Sequence, residues 1–105
     1  MGKNCVIDGD TFVLDGKAVR IVDIETPAAA NPECEREAML AQKAARRLQQ
    51  LLNAGPLELV AAARDEDVYG RKQRTLLRNG RSLGDMLIAE GLARPRGDAK
   101  KSWCA

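Results

Sequence analysis

The stretch CVIDGDTFVLDGKAVRIVDIETP, residues 5–27, decides the fold of this chain. Cys5 to Ile7 and Thr11 to Leu14 are short β-prone runs separated by Asp8-Gly9-Asp10. Asp15-Gly16 is a two-residue hairpin signal of the I′ kind, because both positions tolerate positive φ. The partner strand is therefore predicted over Lys17 to Ile24, with Leu14 facing Lys17 and Thr11 facing Arg20. Alternation puts Val19, Ile21 and Asp23 on one face, and Ala18, Arg20, Val22 and Ile24 on the other. It also sends Asp10 away from Arg20 unless a bulge or sharp twist intervenes near Gly9-Asp10. Pro27 ends the strand in a loop over Glu25 to Ala30.

Outward from this meander, Asn31-Pro32-Glu33 has the residue order of a helix start: a capping side chain, proline at the first helical position, then acid. The helix is expected to run to about Asn53, where Ala54-Gly55-Pro56 stops it. Ala38, Ala41, Ala45, Leu48 and Leu52 share one face at helical spacing and form the expected buried stripe. Strands are expected at Leu57 to Ala63 and Gln73 to Arg78, the second ending at Asn79-Gly80. Ser82-Leu83-Gly84-Asp85 opens a short helix through Glu90, closed by Gly91. Arg94 to Ala105 reads as a basic extended tail pinned by Trp103 or Cys104. Residues 1–105 form one domain, mainly β with one long and one short helix. So many short strands with a single long helix favour a small closed or partly closed barrel of the OB type. A ferredoxin-like sandwich would want a helix after the first strand.

Composition removes several chemistries. The chain has no histidine, so an imidazole base, a Ser-His-Asp set and a His metal ligand are all excluded. Aromatics are limited to Phe12, Tyr69 and Trp103, and the core must be aliphatic. Charge is uneven: residues 1–63 carry 7 basic and 9 acidic groups, and residues 64–105 carry 10 and 6. The basic second half suits a polyanion. No apolar run approaches the roughly 20 residues of a membrane span, and no signal peptide is read in residues 1–105. Cys5, Cys34 and Cys104 lack CxxC spacing, which argues against zinc. They allow one disulfide plus a thiol, or three thiols.

Three polar clusters carry chemistry. Asp8-Gly9-Asp10-Thr11 is a turn by composition, or an oxygen-rich corner for a hard divalent cation. Residues 20–27, RIVDIETP, set a guanidinium mid-strand and a carboxylate, Glu25, at its end. That is a capped surface strand or a fork for phosphate. Asp67-Val68-Tyr69-Gly70-Arg71 is a tight turn that leads Arg71 into a strand.

DGDT, RIVDIETP, VYGR and LGDMLIAEGLAR, in this order, together resemble the staphylococcal nuclease (thermonuclease-like) family, a likeness that covers nearly the whole chain, from Val6 to Leu92. The likeness is strongest to compact bacterial members with a Cys before the first motif and a Trp-Cys ending, here Cys5 and Trp103-Cys104. The resemblance implies a five-stranded OB-fold barrel with added helices, and Ca2+-dependent hydrolysis of nucleic acid. It implies that Asp10 and Glu25 hold the metal with the Thr26 carbonyl, and that Arg20 and Arg71 grip the scissile phosphate. Where the family has its general-base glutamate, after the proline, this chain has Ala28; Glu33 is a possible substitute. A barrel without that base would be a module binding nucleic acid or protein. Tyr69, Arg94, Arg96, Lys100 and Lys101 are the candidate contacts to single-stranded DNA or RNA, with no membrane role and a monomeric chain expected. The resembling proteins are mostly exported, which implies a secreted or periplasmic location. There a Cys34–Cys104 bridge would tie down the tail and leave Cys5 over.

Overall fold

The computed structural model describes residues 5–97 and 102–104. Its organising feature is the meander of β1 (Cys5–Asp8), β2 (Thr11–Leu14) and β3 (Lys17–Ile21). Asp15 and Gly16 take φ values of 52° and 81°, the left-handed pair that an I′ turn requires. The turn pairs Leu14 with Lys17 and Thr11 with Arg20. In β1 the pairing steps from Val6 opposite Phe12 to Asp8 opposite Thr11, so the extra residue is Ile7. The bulge thus lies before Gly9-Asp10 rather than at it.

β3 is shorter than the sequence suggests. A turn at Val22-Asp23 breaks it, and β4 (Ile24–Glu25) follows in a separate two-stranded sheet. The turn resets the alternation: Ile24 is fully buried with Val19 and Ile21, not exposed beside Arg20. Glu25, expected in a loop, is therefore a strand residue.

The long helix α1 (Glu35–Asn53) starts later than Asn31-Pro32 suggests. Asn31 sits at φ 54°, outside the helix. Cys34, extended at φ −160° and ψ 170°, is the cap, and its Sγ accepts the Glu37 N–H at 3.4 Å. The buried stripe is also rotated. It comprises Glu37, Ala41, Ala44, Leu48, Leu51 and Leu52 instead of running through Ala38 and Ala45. Glu37 draws that side of the helix inward through bonds described below.

The remaining elements are β5 (Glu58–Glu66), β6 (Lys72–Arg78), β7 (Arg81–Ser82), α2 (Leu83–Ala89) and β8 (Arg94–Pro95). β6 pairs in parallel with β3 and antiparallel with β5, giving the strand order β1-β2-β3-β6-β5 with β7 on β6. Ser82 caps α2 by accepting the Asp85 N–H at 3.1 Å. The architecture is α+β and sheet-rich, with two helices; among the described residues β1 and β5 remain the ends of the strand order. Phe12, Ile21, Ile24, Leu48, Leu76, Leu83 and Leu87 are the large side chains wholly withdrawn from water. Each such burial is worth about 1.5–3 kcal/mol before conformational entropy is charged against it.

Candidate active site

Asp10 and Arg20 meet across the meander, with Oδ2 and Nη2 3.5 Å apart. The Ile7 bulge and the 9–10 turn bring this about, against plain alternation. The Asp10 carbonyl accepts the Ile21 N–H at 2.8 Å, which locks the turn onto β3. Asp8 Oδ1 accepts the Asp10 N–H at 3.1 Å, and the Thr11 hydroxyl donates to Asp10 Oδ1 at 2.9 Å. Burial, then the neighbouring Asp8 carboxyl, push the Asp10 carboxyl up to about 6, against the opposing pull of Arg20 and Thr11. Asp8 is a site residue that sequence reasoning left inside a motif without a role; the DxD spacing is its signal.

Gly9 sets how closely the next segment approaches. A Cβ there would lie 2.7 Å from the Ala44 Cβ and 3.0 Å from the Thr26 Cγ2. Thr26 is thus packed on the turn that carries Asp10, and Glu25 precedes it on β4. Asp10 and Glu25 offer carboxylates and Thr26 a carbonyl. Carboxylate and carbonyl oxygens are the donors that hard cations take, as soft ones do not.

Arg71 enters β6 from a loop organised by Asp67. Asp67 Oδ1 accepts the N–H groups of Tyr69 and Arg71, each at 2.9 Å, and Oδ2 accepts Arg71 Nε at 2.6 Å. Burial alone would raise the Asp67 carboxyl; the Arg71 and Tyr69 hydrogen bonds outweigh it and hold the carboxyl below the usual range. The Arg71 guanidinium lies 5.5 Å from the centre of the Tyr69 ring, which is 81% exposed. In register, Arg20 stands opposite Gln73, two residues beyond Arg71. Arg71 itself lies just before β6.

Position 28 is held from behind. Glu37, only 5% exposed, accepts the Ala28 N–H at 2.9 Å through Oε2 and the Glu33 N–H at 2.7 Å through Oε1. These two bonds, Ala28's first, hold its carboxyl below the usual range despite burial. Cys34 caps the Glu37 N–H, while the Glu37 side chain reaches past the cap to the N–H groups of Glu33 and Ala28. The sequence signal for this role of Glu37 is its place three residues after Cys34, Cys-x-x-Glu. Glu33 is exposed, and the Ser102 hydroxyl lies 3.5 Å from its Oε1. Among the described residues, the one three-member cluster of acid or thiol groups close enough to hold an ion is Glu33, Glu37 and Cys104. Its sulfur is in a disulfide and both Glu37 oxygens are engaged, so it offers no metal site.

The tail folds back on this region. Arg94 pairs in register with Glu25 between β8 and β4, and its guanidinium stacks 3.8 Å from the Trp103 ring centre. Arg96 donates its N–H to the Asp23 carbonyl at 3.0 Å and Nη1 to the Val22 carbonyl at 3.4 Å. Cys34 and Cys104 form a disulfide with Cα atoms 6.1 Å apart, and Cys5 is an exposed free thiol. Lys100 and Lys101 lie outside the described residues. No helix is long and apolar enough to cross a membrane among the described residues.

Arginine–carboxylate geometry on a small α+β frame, with no histidine, is the setting in which known proteins bear on the chain. Endonuclease YncB of Bacillus subtilis (strain 168) is 35% identical over 94 residues, 84% of this chain and 44% of that protein. The similarity supports a relationship to nucleases. The chain spans less than half the length of this relative. No family model matches the chain.

Proposed function

We propose that this chain hydrolyses phosphodiester bonds in single-stranded DNA or RNA, on an OB barrel of the staphylococcal nuclease type, with Ca2+ as its cation. The observation that carries this reading is the opposition of Asp10 and Arg20 at 3.5 Å. In this reading the Asp10 carboxylate would take the cation and the Arg20 guanidinium the phosphate. Asp10, Glu25 and the Thr26 carbonyl would hold the ion. When bound, Ca2+ supplies positive charge against the phosphate oxygens. Arg20 grips the phosphate through paired N–H donors, and Arg71 joins it by exchanging Asp67 for substrate. Both guanidiniums then offset the charge that grows on phosphorus-bound oxygen as the bond to water forms and the ester bond breaks. Tyr69 lies beside Arg71 as an exposed ring for a base, while Arg94 and Arg96 add positive charge.

Ala28 supplies no proton acceptor, so the attacking water loses its proton to solvent. A positioned base typically contributes about 10²–10⁴-fold, and the parent chain works without it. Glu33, the substitute that the sequence offers, is exposed on the 28–33 loop, with its N–H held by Glu37. The similarity to a named endonuclease supports hydrolysis. The Cys34–Cys104 disulfide supports an oxidising, secreted or periplasmic setting. The methyl group at Ala28 favours a second reading, a module that holds nucleic acid without cutting it.

The test is incubation of denatured DNA with the protein in Ca2+ and in chelator, beside Arg20→Ala. Cleavage that needs the metal and is lost in the variant supports the hydrolytic reading. Binding without cleavage in either condition supports the module.

A further inference from the structure

A second basic feature lies where β8 meets α1 and the segment around Trp103. Arg36 on α1, Leu40, Ala93, Arg94, Ser102 and Trp103 line a cleft of about 300 Å³. That volume is at the lower end of small-ligand sites, room for one nucleotide unit and not for a long ligand. Among the described residues its lining holds two guanidiniums, a hydroxyl and an indole, and no carboxylate. Arg94 is stacked on Trp103 at 3.8 Å, so a planar surface is already assembled. The disulfide at the adjacent Cys104 restrains the chain that carries the indole, which lowers the ordering cost of binding.

We infer that this cleft is a base-stacking subsite for single-stranded nucleic acid, in which a base packs on the Trp103–Arg94 stack and Arg36 meets the adjoining phosphate. Stacking on an indole is tolerant of base identity, and a guanidinium beside it takes the phosphate. Arg94 faces Glu25 across one strand pairing, which joins the cleft to β4, the strand that precedes Thr26. The inference rests on the reading that this chain acts on nucleic acid, and it needs no cleavage.

Trp103 is the only tryptophan in the chain, so its emission reports the cleft directly. The full chain, with chelator present, is titrated with a short oligodeoxythymidylate and with an abasic strand of equal length and charge. The expected result is saturable quenching by the oligodeoxythymidylate and none by the abasic strand. Arg36→Ala, an exposed helix substitution, should weaken binding and lower the slope of log affinity against log salt by about 1. Trp103→Leu, followed by strand anisotropy, should weaken binding roughly 5- to 100-fold, with Trp103→Phe restoring most of it. Equal quenching by the abasic strand overturns the proposal, as does parent-like binding by folded Arg36→Ala and Trp103→Leu proteins. With metal excluded, a Trp103 response from a chain that never cleaves removes the hydrolytic reading and keeps the subsite. Cleavage without a Trp103 response does the reverse.

Discussion

The Glu37 carboxylate, on the first turn of α1, accepts the backbone N–H of Ala28 at 2.9 Å. Position 28 is therefore held by the helix although its own side chain is a methyl. The same carboxylate takes the Glu33 N–H, so a single buried acid fixes both ends of the 28–33 loop. Replacing Glu37 with Ala strands two N–H donors in a half-buried setting. The expected result is a lower Tm than exposed substitutions produce, together with faster amide exchange at Ala28 and Glu33.

Glu37 also predicts a pH effect. Its carboxyl is held below the usual range by the Ala28 and Glu33 N–H groups. A depressed folded pKa contributes stability that is present above the unfolded value, roughly 4.3, and lost as pH falls through the folded value. Acid titration of the Tm should show this loss in the parent. In Glu37→Gln the acid-dependent part should shrink, with the neutral-pH Tm already lower.

Gly9→Ala tests the contact between the Asp10 turn and Thr26. The added Cβ meets the Ala44 Cβ at 2.7 Å and the Thr26 Cγ2 at 3.0 Å. Overpacking of this kind costs about 1–3 kcal/mol. Chemical denaturation should show that loss, and Ca2+ should stabilise the variant less than the parent because Thr26 has been displaced.

The disulfide spans 70 residues. Closing a loop of that length restricts the unfolded chain by roughly 4 kcal/mol in the chain-entropy account. Cys104→Ser should lose about that much in denaturant unfolding. Cys34→Ala should lose more, because the helix cap to the Glu37 N–H goes with it. Equal losses would mean that the Sγ cap contributes nothing.

Much of the fold is legible in residues 5–27. Asp15-Gly16 determines the β2–β3 register, and that register alone puts Thr11 opposite Arg20. The juxtaposition of Asp10 with Arg20 is less legible, because a bulge at Ile7 leaves no compositional mark. The turn at Val22-Asp23 is equally silent within a β-branched run, yet it moves Ile24 into the core. Asn31-Pro32 imitates a helix start, while the real cap is a cysteine, a weak acceptor that propensity does not favour. Burial of Glu37 follows from two backbone donors distant in conformation, which no periodicity records. Nor does local sequence reveal that the tail returns to pair Arg94 with Glu25.

The central claim is metal-dependent hydrolysis at Asp10 and Arg20, slowed by the absence of a base at Ala28. The most direct measurement is the rate of cleavage of denatured DNA in Ca2+ by the parent and by Ala28→Glu. The account predicts slow, chelator-sensitive cleavage by the parent and a rate about 10²–10⁴-fold higher in the variant, whose backbone at position 28 the Glu37 bond would still hold. Equal rates in Ca2+ and chelator, or no cleavage by either protein, would contradict it.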